Sequence, residues 1–306
     1  MRCDKIRLIA IGLVMLVLAL APASAWAQAE SQGKADEWKL VEAAMGRPGK
    51  LQPDGAFKFS MPRKDLKVTV DGTPIQPGLA LGSWVAIAGT PGHAMAMGDL
   101  VLTEDEIGPV MLKLQQEGIQ QTAVHNHLLH ETPRVMYMHI AGHGDAVKMA
   151  KAIHDALALT KTPPSESGPA TSAEQNLEFD TAQIDATLGH KGKVNGGIFQ
   201  VGVPRSEKII DEGMEVPPSM GTATSLNFQP TGNGRAAVTG DFVLLADEVN
   251  PVLKTLRDHG IQVTALHSHM LHDQPHLFFM HFWANDDAVK LARGLRAALD
   301  KTASKK

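Results

Sequence analysis

Cysteine is nearly missing from this sequence: its one thiol, Cys3, sits ahead of an apolar run at the N-terminus. Nothing after it can form a disulfide, offer a thiolate to a metal or act as a cysteine nucleophile. A lipoprotein signal places its cysteine just after such a run, so lipid anchoring by that route is not expected. Aromatic residues are scarce at 5%, which leaves aliphatic and methionine side chains to fill the core. Basic stretches are absent, and the formal charge is −4. With no track for a phosphate backbone, the sequence reads as one that binds no nucleic acid. Neither the HExxH helix of zinc peptidases nor the GxSxG elbow of serine hydrolases occurs.

Long hydrophobic runs are also lacking. The longest, Leu8 to Leu20, falls short of the roughly 20 residues that span a bilayer. Arg2, Lys5 and Arg7 precede it, and Ala25-Trp26-Ala27 follows with small residues at signal-peptidase spacing. Residues 1–27 therefore read as a cleavable signal peptide, and the expected location is the periplasm or the exterior. No membrane span is expected after cleavage.

What the sequence does contain is itself, twice. Residues 98–160 align without a gap on 240–302, with 29 of 63 pairs identical. GDLVLTEDEIGPV is answered by GDFVLLADEVNPV, and HNHLLHETPRVMYMHI by HSHMLHDQPHLFFMHF. Upstream, Phe57 meets Phe199 and Pro62-Arg63 meets Pro204-Arg205. The expected organisation is a first repeat domain over 28–160, a Pro/Ser/Thr-rich linker over 161–175, and a second repeat domain over 176–306.

Within a copy, periodicity predicts a short strand at Leu100–Leu102 and a helix over Pro109–Gln116. Strands over Gln120–Leu129 and Arg134–Ala141 follow, joined by a tight turn, and then a helix over Asp145–Leu159. In copy two, Asn250-Pro251 reads as the start of the equivalent helix. The strand–helix–strand–strand–helix order predicts an α+β fold in two tandem copies. Each would have a mixed or antiparallel sheet with helices packed on one face, and the two repeats are expected to pack on each other.

Histidine placement carries the functional signal. Strand side chains alternate faces, so His125 and His127 point the same way. A turn about Thr132 would set His139 opposite His125 on the same face, and His267, His269 and His281 repeat the pattern in copy two. Met136, Met138 and Ile140 occupy the other, core-facing side, so the histidine face is expected to be the accessible one. Of 14 histidines, eight form four matched pairs between copies, the fourth being His130 with His272; the remaining six meet no histidine. Three neutral imidazoles without thiolate favour zinc, with other divalent transition metals open. The partner is thus a metal ion or a small polar ligand. His130, His272, Glu106 and Glu248 are candidates for the rim or outer shell of the site, although Glu106 also suits a capping box with Thr103. Asp99 and Asp241 are assigned to turns and strand ends.

The GDFVLLADEVNPV and HSHMLHDQPHLFFMHFWA segments resemble the LppY/LpqO family of exported bacterial proteins, a conserved domain of unknown function. The resemblance covers both repeats and implies a domain identity rather than a reaction. Three functions stay open at this point. One is a metal- or ligand-binding periplasmic module, and the second is a zinc-dependent hydrolase on the same histidines, with Glu106 or His130 as base. The third is a structural envelope protein without metal.

Overall fold

A computed structural model describes residues 38–164 and 177–305. The expected signal peptide, residues 1–27, and most of the expected linker lie outside the described residues.

Copy one runs α1 (Lys39–Met45), β1 (Lys50–Leu51), β2 (Phe57–Pro62), β3 (Thr69–Val70), β4 (Thr73–Pro74) and α2 (Pro77–Ala80). It continues with β5 (Gly82–Thr90), β6 (His93–Thr103), α3 (Glu104–Gln116), β7 (Gln120–His125), β8 (Glu131–Thr132), β9 (Val135–Gly144) and α4 (Ala146–Leu157). Copy two repeats the plan with α5 (Thr181–Leu188), β10 (Lys193–Asn195), β11 (Ile198–Pro204), β12 (Ile210–Asp211) and β13 (Met214–Glu215). Then come β14 (Ala223–Gly232), β15 (Arg235–Leu244), α6 (Ala246–Asp258), β16 (Gln262–His267), β17 (Phe278–Asp287) and α7 (Ala288–Leu299). Each copy builds one six-stranded sheet, in orders β1-β2-β5-β6-β9-β7 and β10-β11-β14-β15-β17-β16. The pairings within both sheets are antiparallel. This is the α+β tandem architecture that periodicity predicted.

The elements differ from expectation in extent. The predicted strand at Leu100–Leu102 is the end of the eleven-residue β6. Helix α3 begins at Glu104, so Pro109 lies inside it, and α6 likewise begins at Ala246 with Pro251 interior. The Asn-Pro start signal was misleading because acidic first turns and the Glu106 and Glu248 carboxylates cap these helices earlier. Glu106 Oε2 accepts from Thr103 N at 2.9 Å, and Glu248 Oε2 from Leu245 N at 2.7 Å. Each carboxylate is also gripped by a buried arginine, Arg63 and Arg205 respectively, at 2.7 Å.

One face of each sheet is covered by its own helices. In copy one, Val41 and Met45, Val110 and Leu114, and Ala150 and Ile153 pack on Phe59, Ile87, Leu100, Leu102, Met138 and Ile140. At about 25 cal/mol per Å² of apolar surface removed from water, such burial is what holds each layer. The other face of each sheet meets the opposite copy. Ala86, Met95 and Met97 share a core with Met220, Val243, Leu277 and Phe279. Val101, Val135 and Tyr137 share another with Ile198, Ala237 and Trp283. Polar contacts tie the seam: Gln76 N donates to Gln229 Oε1 at 2.8 Å, and Gln229 Nε2 donates back to Pro74 O at 2.7 Å. The described residues of both copies form one compact unit, layered helix, sheet, sheet, helix.

Candidate metal centre

The histidines lie on the sheet face that carries no helices, and that face is the inter-copy seam. The expectation that it would be accessible is therefore corrected. Sheets in this chain bury both faces, one under helices and one against the duplicate, so His139 and His281 are each only 3% exposed.

The hairpin register also departs from the predicted one. His125 pairs with Tyr137, and His139 pairs with Ala123 beyond a bulge at Gln121/Ala123. Copy two matches, with His267 opposite Phe279 and His281 opposite Ala265. The slip is two residues, so the side chains keep their face. Strands β7 and β16 stop at His125 and His267. His127 and His269 lie just beyond, each stacked flat on the aromatic ring of the neighbouring strand. Centroid distances are 3.4 Å to Tyr137 and 3.3 Å to Phe279, with interplanar angles of 8° in both.

The seam fuses the two expected trios into one cluster of six rings. His125 stacks on His267 at 3.6 Å, His127 on His281 at 3.8 Å, and His139 lies 3.7 Å from His269. The 142-residue offset maps this pairing onto itself, as a pseudo-twofold contact requires. Three trios have ligating atoms mutually within 4.8 Å: His125/His127/His139, His125/His267/His281 and His139/His267/His269. Two of these mix the copies.

Asp99 and Asp241 belong to the same place, not to turns or strand ends. They sit within β6 and β15, directly paired with His139 and His281. Asp99 Oδ2 is 3.4 Å from His127 Nε2, and Asp241 Oδ2 is 3.3 Å from His269 Nε2. A detectable signal existed: an aspartate interrupts an apolar strand sequence at the same position in both copies.

Burial decides the electrostatics. Desolvation lowers all six imidazoles, helped in most by neighbouring histidines. His125 and His281 fall to about 4 and His269 to about 3. The rings are thus neutral at pH 7, the state in which imidazole ligates. The same desolvation pushes Asp99 up to about 8, with Asp241 nearby adding to the rise, and Asp241 up to about 6.

Hydrogen bonds assign the lone pairs. The Nδ1 atoms of His125, His267 and His281 face the carbonyls of Asn126, Ser268 and Gly240 at 3.1, 3.3 and 2.9 Å. Each therefore donates from Nδ1 and presents an Nε2 lone pair. Yet His267 Nε2 and His281 Nε2 stand 2.9 Å apart, an arrangement of two facing lone pairs that a shared cation would relieve. Of the eleven buried side-chain polar atoms without a partner among the described residues, six are here. They are Nε2 of His125, His127, His139 and His269, and Oδ1 of Asp99 and Asp241. This donor set, all nitrogen and oxygen, fits a divalent transition metal.

The remaining candidates lie elsewhere. His130 is exposed at φ 60° and contacts Asp71 at 3.2 Å, and His272 is exposed. Glu106 and Glu248 are occupied by helix caps and arginines. Copy two adds a surface relay that the sequence reading missed: His276 lies 3.1 Å from Ser268 Oγ and 2.7 Å from the Asp273 carboxylate. Asn126, Glu131 and Arg134 stand at those positions in copy one.

Comparison with known proteins gives a family and little more. The family model described as Domain of Unknown Function (DUF1259) matches twice, at residues 39–159 and 182–301. No curated protein matches. Among solved structures, a trimeric bacterial microcompartment shell protein, PduB, aligns at 11% identity over 83% of this chain and 89% of its own, with a TM-score of 0.19.

Proposed function

Starting from a chain that belongs to the Domain of Unknown Function (DUF1259) family in two copies, we propose that it binds a divalent transition-metal ion at a centre shared by both copies. The observation that carries this reading is the 2.9 Å approach of His267 Nε2 to His281 Nε2, both rings turned to carbonyls through Nδ1, beside four buried histidine nitrogens without partners. Leaving such atoms unpaired costs about 1–3 kcal/mol each, and coordination removes the cost. Zinc suits neutral imidazoles without thiolate, and iron, nickel and copper share that chemistry.

The reading includes export, through the signal features of residues 1–27 and the motif resemblance to LppY/LpqO proteins. Among the described residues, no helix is long and apolar enough to cross a membrane. The hydrolytic alternative is less well supported, because neither base suggested by the sequence is at the cluster. Glu106 is bound to Arg63, and His130 faces Asp71.

The test is metal content of untagged protein purified from its own compartment, followed by melting with chelator and with added zinc. Retained metal and a melting temperature lowered by chelator are expected. A metal-free protein whose melting is indifferent to both additions would instead favour a structural envelope role.

A further inference from the structure

Resting on the metal reading above, we propose that Asp99 and Asp241 are direct ligands, one contributed by each copy, so that the centre has mixed nitrogen and oxygen donors. Three observations converge on this.

The first is spacing. Two ligands bound to one ion at about 2.1 Å stand about 3.4 Å apart in tetrahedral geometry and about 3.0 Å apart when octahedral. The separations of Asp99 Oδ2 from His127 Nε2 and of Asp241 Oδ2 from His269 Nε2 are 3.4 and 3.3 Å. Neither contact has the alignment of a hydrogen bond, and Nε2 of both rings is without a partner. Each aspartate–histidine pair is spaced as two co-ligands. The trios of ligating atoms mutually within 4.8 Å consist of histidines alone, so each carboxylate joins the centre through its paired loop histidine.

The second is burial without compensation. Asp99 is 5% exposed, and Oδ1 of each aspartate is sealed from solvent without a hydrogen-bond partner. Asp241 has the Met280 backbone N–H at its carboxylate and His281 Nδ1 3.8 Å from its Oδ1. Among the described residues, the cations of this chain with buried partners are committed elsewhere: Arg63 to Asp65 and Glu106, and Arg205 to Glu207 and Glu248. Lys58, the basic group that acts on Asp99, donates to Ser219 O and lies over the Trp84 ring. A bound ion is the counter-charge that the site itself can admit.

The third is duplication. Both carboxylates pair with the strand histidine of their own copy and face the loop histidine of the same copy. A carboxylate among imidazoles widens the accepted metals from zinc toward iron, cobalt and manganese, and still excludes thiolate-seeking copper(I).

Metal-stripped protein titrated with Zn(II) and with Co(II) tests the assignment, using wild type, Asp99→Asn and Asp241→Asn. Each variant is expected to bind zinc more than about 100-fold more weakly, beyond the roughly 10–100-fold of a group that only orients a ligand. The Co(II) visible spectrum should change, and infrared difference spectra of the wild type should show carboxylate bands shifting on metal binding. Asn variants that bind within about tenfold of wild type, with the same Co(II) spectrum and no carboxylate shift, would overturn the proposal while leaving the histidine centre intact. Wild type that binds neither metal removes both. Should a variant fail to fold, the wild-type infrared experiment decides.

Discussion

The two copies agree at the histidine cluster and diverge around it, the rest of the seam included. All six clustered histidines, both buried aspartates and both arginine–glutamate clamps recur at a constant offset. Six other histidines have no counterpart, Tyr137 becomes Phe279, and Asn126 becomes Ser268. Cluster positions are held by packing and by the shared site at once, whereas seam positions outside the cluster answer to packing alone and accept Met95 for Ala237 and Val135 for Leu277. The comparison separates what the centre needs from what a single copy can vary.

The strongest way to stress it is at the glycines beside the aspartates. A Cβ at Gly240 would lie 1.8 Å from Ser225 O, and one at Gly98 2.8 Å from Trp84 O. Overpacking of this kind costs about 1–3 kcal/mol and sometimes more. Gly240→Ala should fall at or above the top of that range and Gly98→Ala nearer the bottom, as read by denaturant unfolding. Equal losses would mean that the copies relax alike despite their different contacts.

Arginine deletion should erase the difference instead. Arg63 and Arg205 are 0% and 3% exposed and make the same bonds. Removing one member of a buried pair costs about 3–5 kcal/mol, so Arg63→Ala and Arg205→Ala should destabilise by similar amounts in that range.

For the metal, the comparison becomes a count. His127→Ala and His269→Ala should each perturb the whole of the bound zinc, because the three trios share His125, His139 and His267 and so form one linked set. If one variant kept half the metal at wild-type affinity, the copies would hold separate sites. Zinc at a hundredfold excess over its Kd should stabilise the wild type by about 2.7 kcal/mol, and each variant by less.

The pH dependence of the metal-free protein follows from burial. Imidazoles lowered from their ordinary 6.5 take up protons on unfolding, so stability is lost as pH falls below about 6.5. Asp241, raised to about 6, and Asp99, raised to about 8, release protons on unfolding, so their contribution is lost as pH rises above about 4. Six rings outweigh two carboxylates on the acid side; of these eight groups Asp99 alone still titrates between 6.5 and 8, joined outside the cluster by Glu131, which burial raises to about 7. Melting temperature should peak near pH 6.5, and Asp99→Asn should flatten the alkaline decline. A monotonic rise through pH 8 in the wild type would contradict it.

The smallest effect probes the backing of the loop histidines. Tyr137 donates to Ala80 O at 3.0 Å, a bond that Phe279 cannot make. Tyr137→Phe should cost about 1 kcal/mol and leave zinc affinity within a few-fold, since the stacked ring itself remains.

Much of this was legible beforehand. The offset revealed two copies, and Met138 and Ile140 alternating with His139 revealed which side chains share a face. Helix starts differ from the expectation because Pro109 and Pro251 suit a first turn, whereas the helices begin five residues earlier, at Glu104 and Ala246, and the capping carboxylates Glu106 and Glu248 each lie three residues before the proline. The aspartates were missed because an acidic residue near glycine ordinarily marks a turn. Nothing local distinguishes Gly98-Asp99 from such a turn until β9 is laid beside it.

Side-chain alternation along a strand is local and survives a two-residue register slip, so the sequence by itself determined that three histidines of each copy lie together. It could not determine what stands opposite them. That depends on contacts between residues more than a hundred positions apart, where two sheets, each already covered by helices on one side, bury their remaining faces against each other. Only this packing turned two apparently open trios into one enclosed cluster of six imidazoles and two carboxylates.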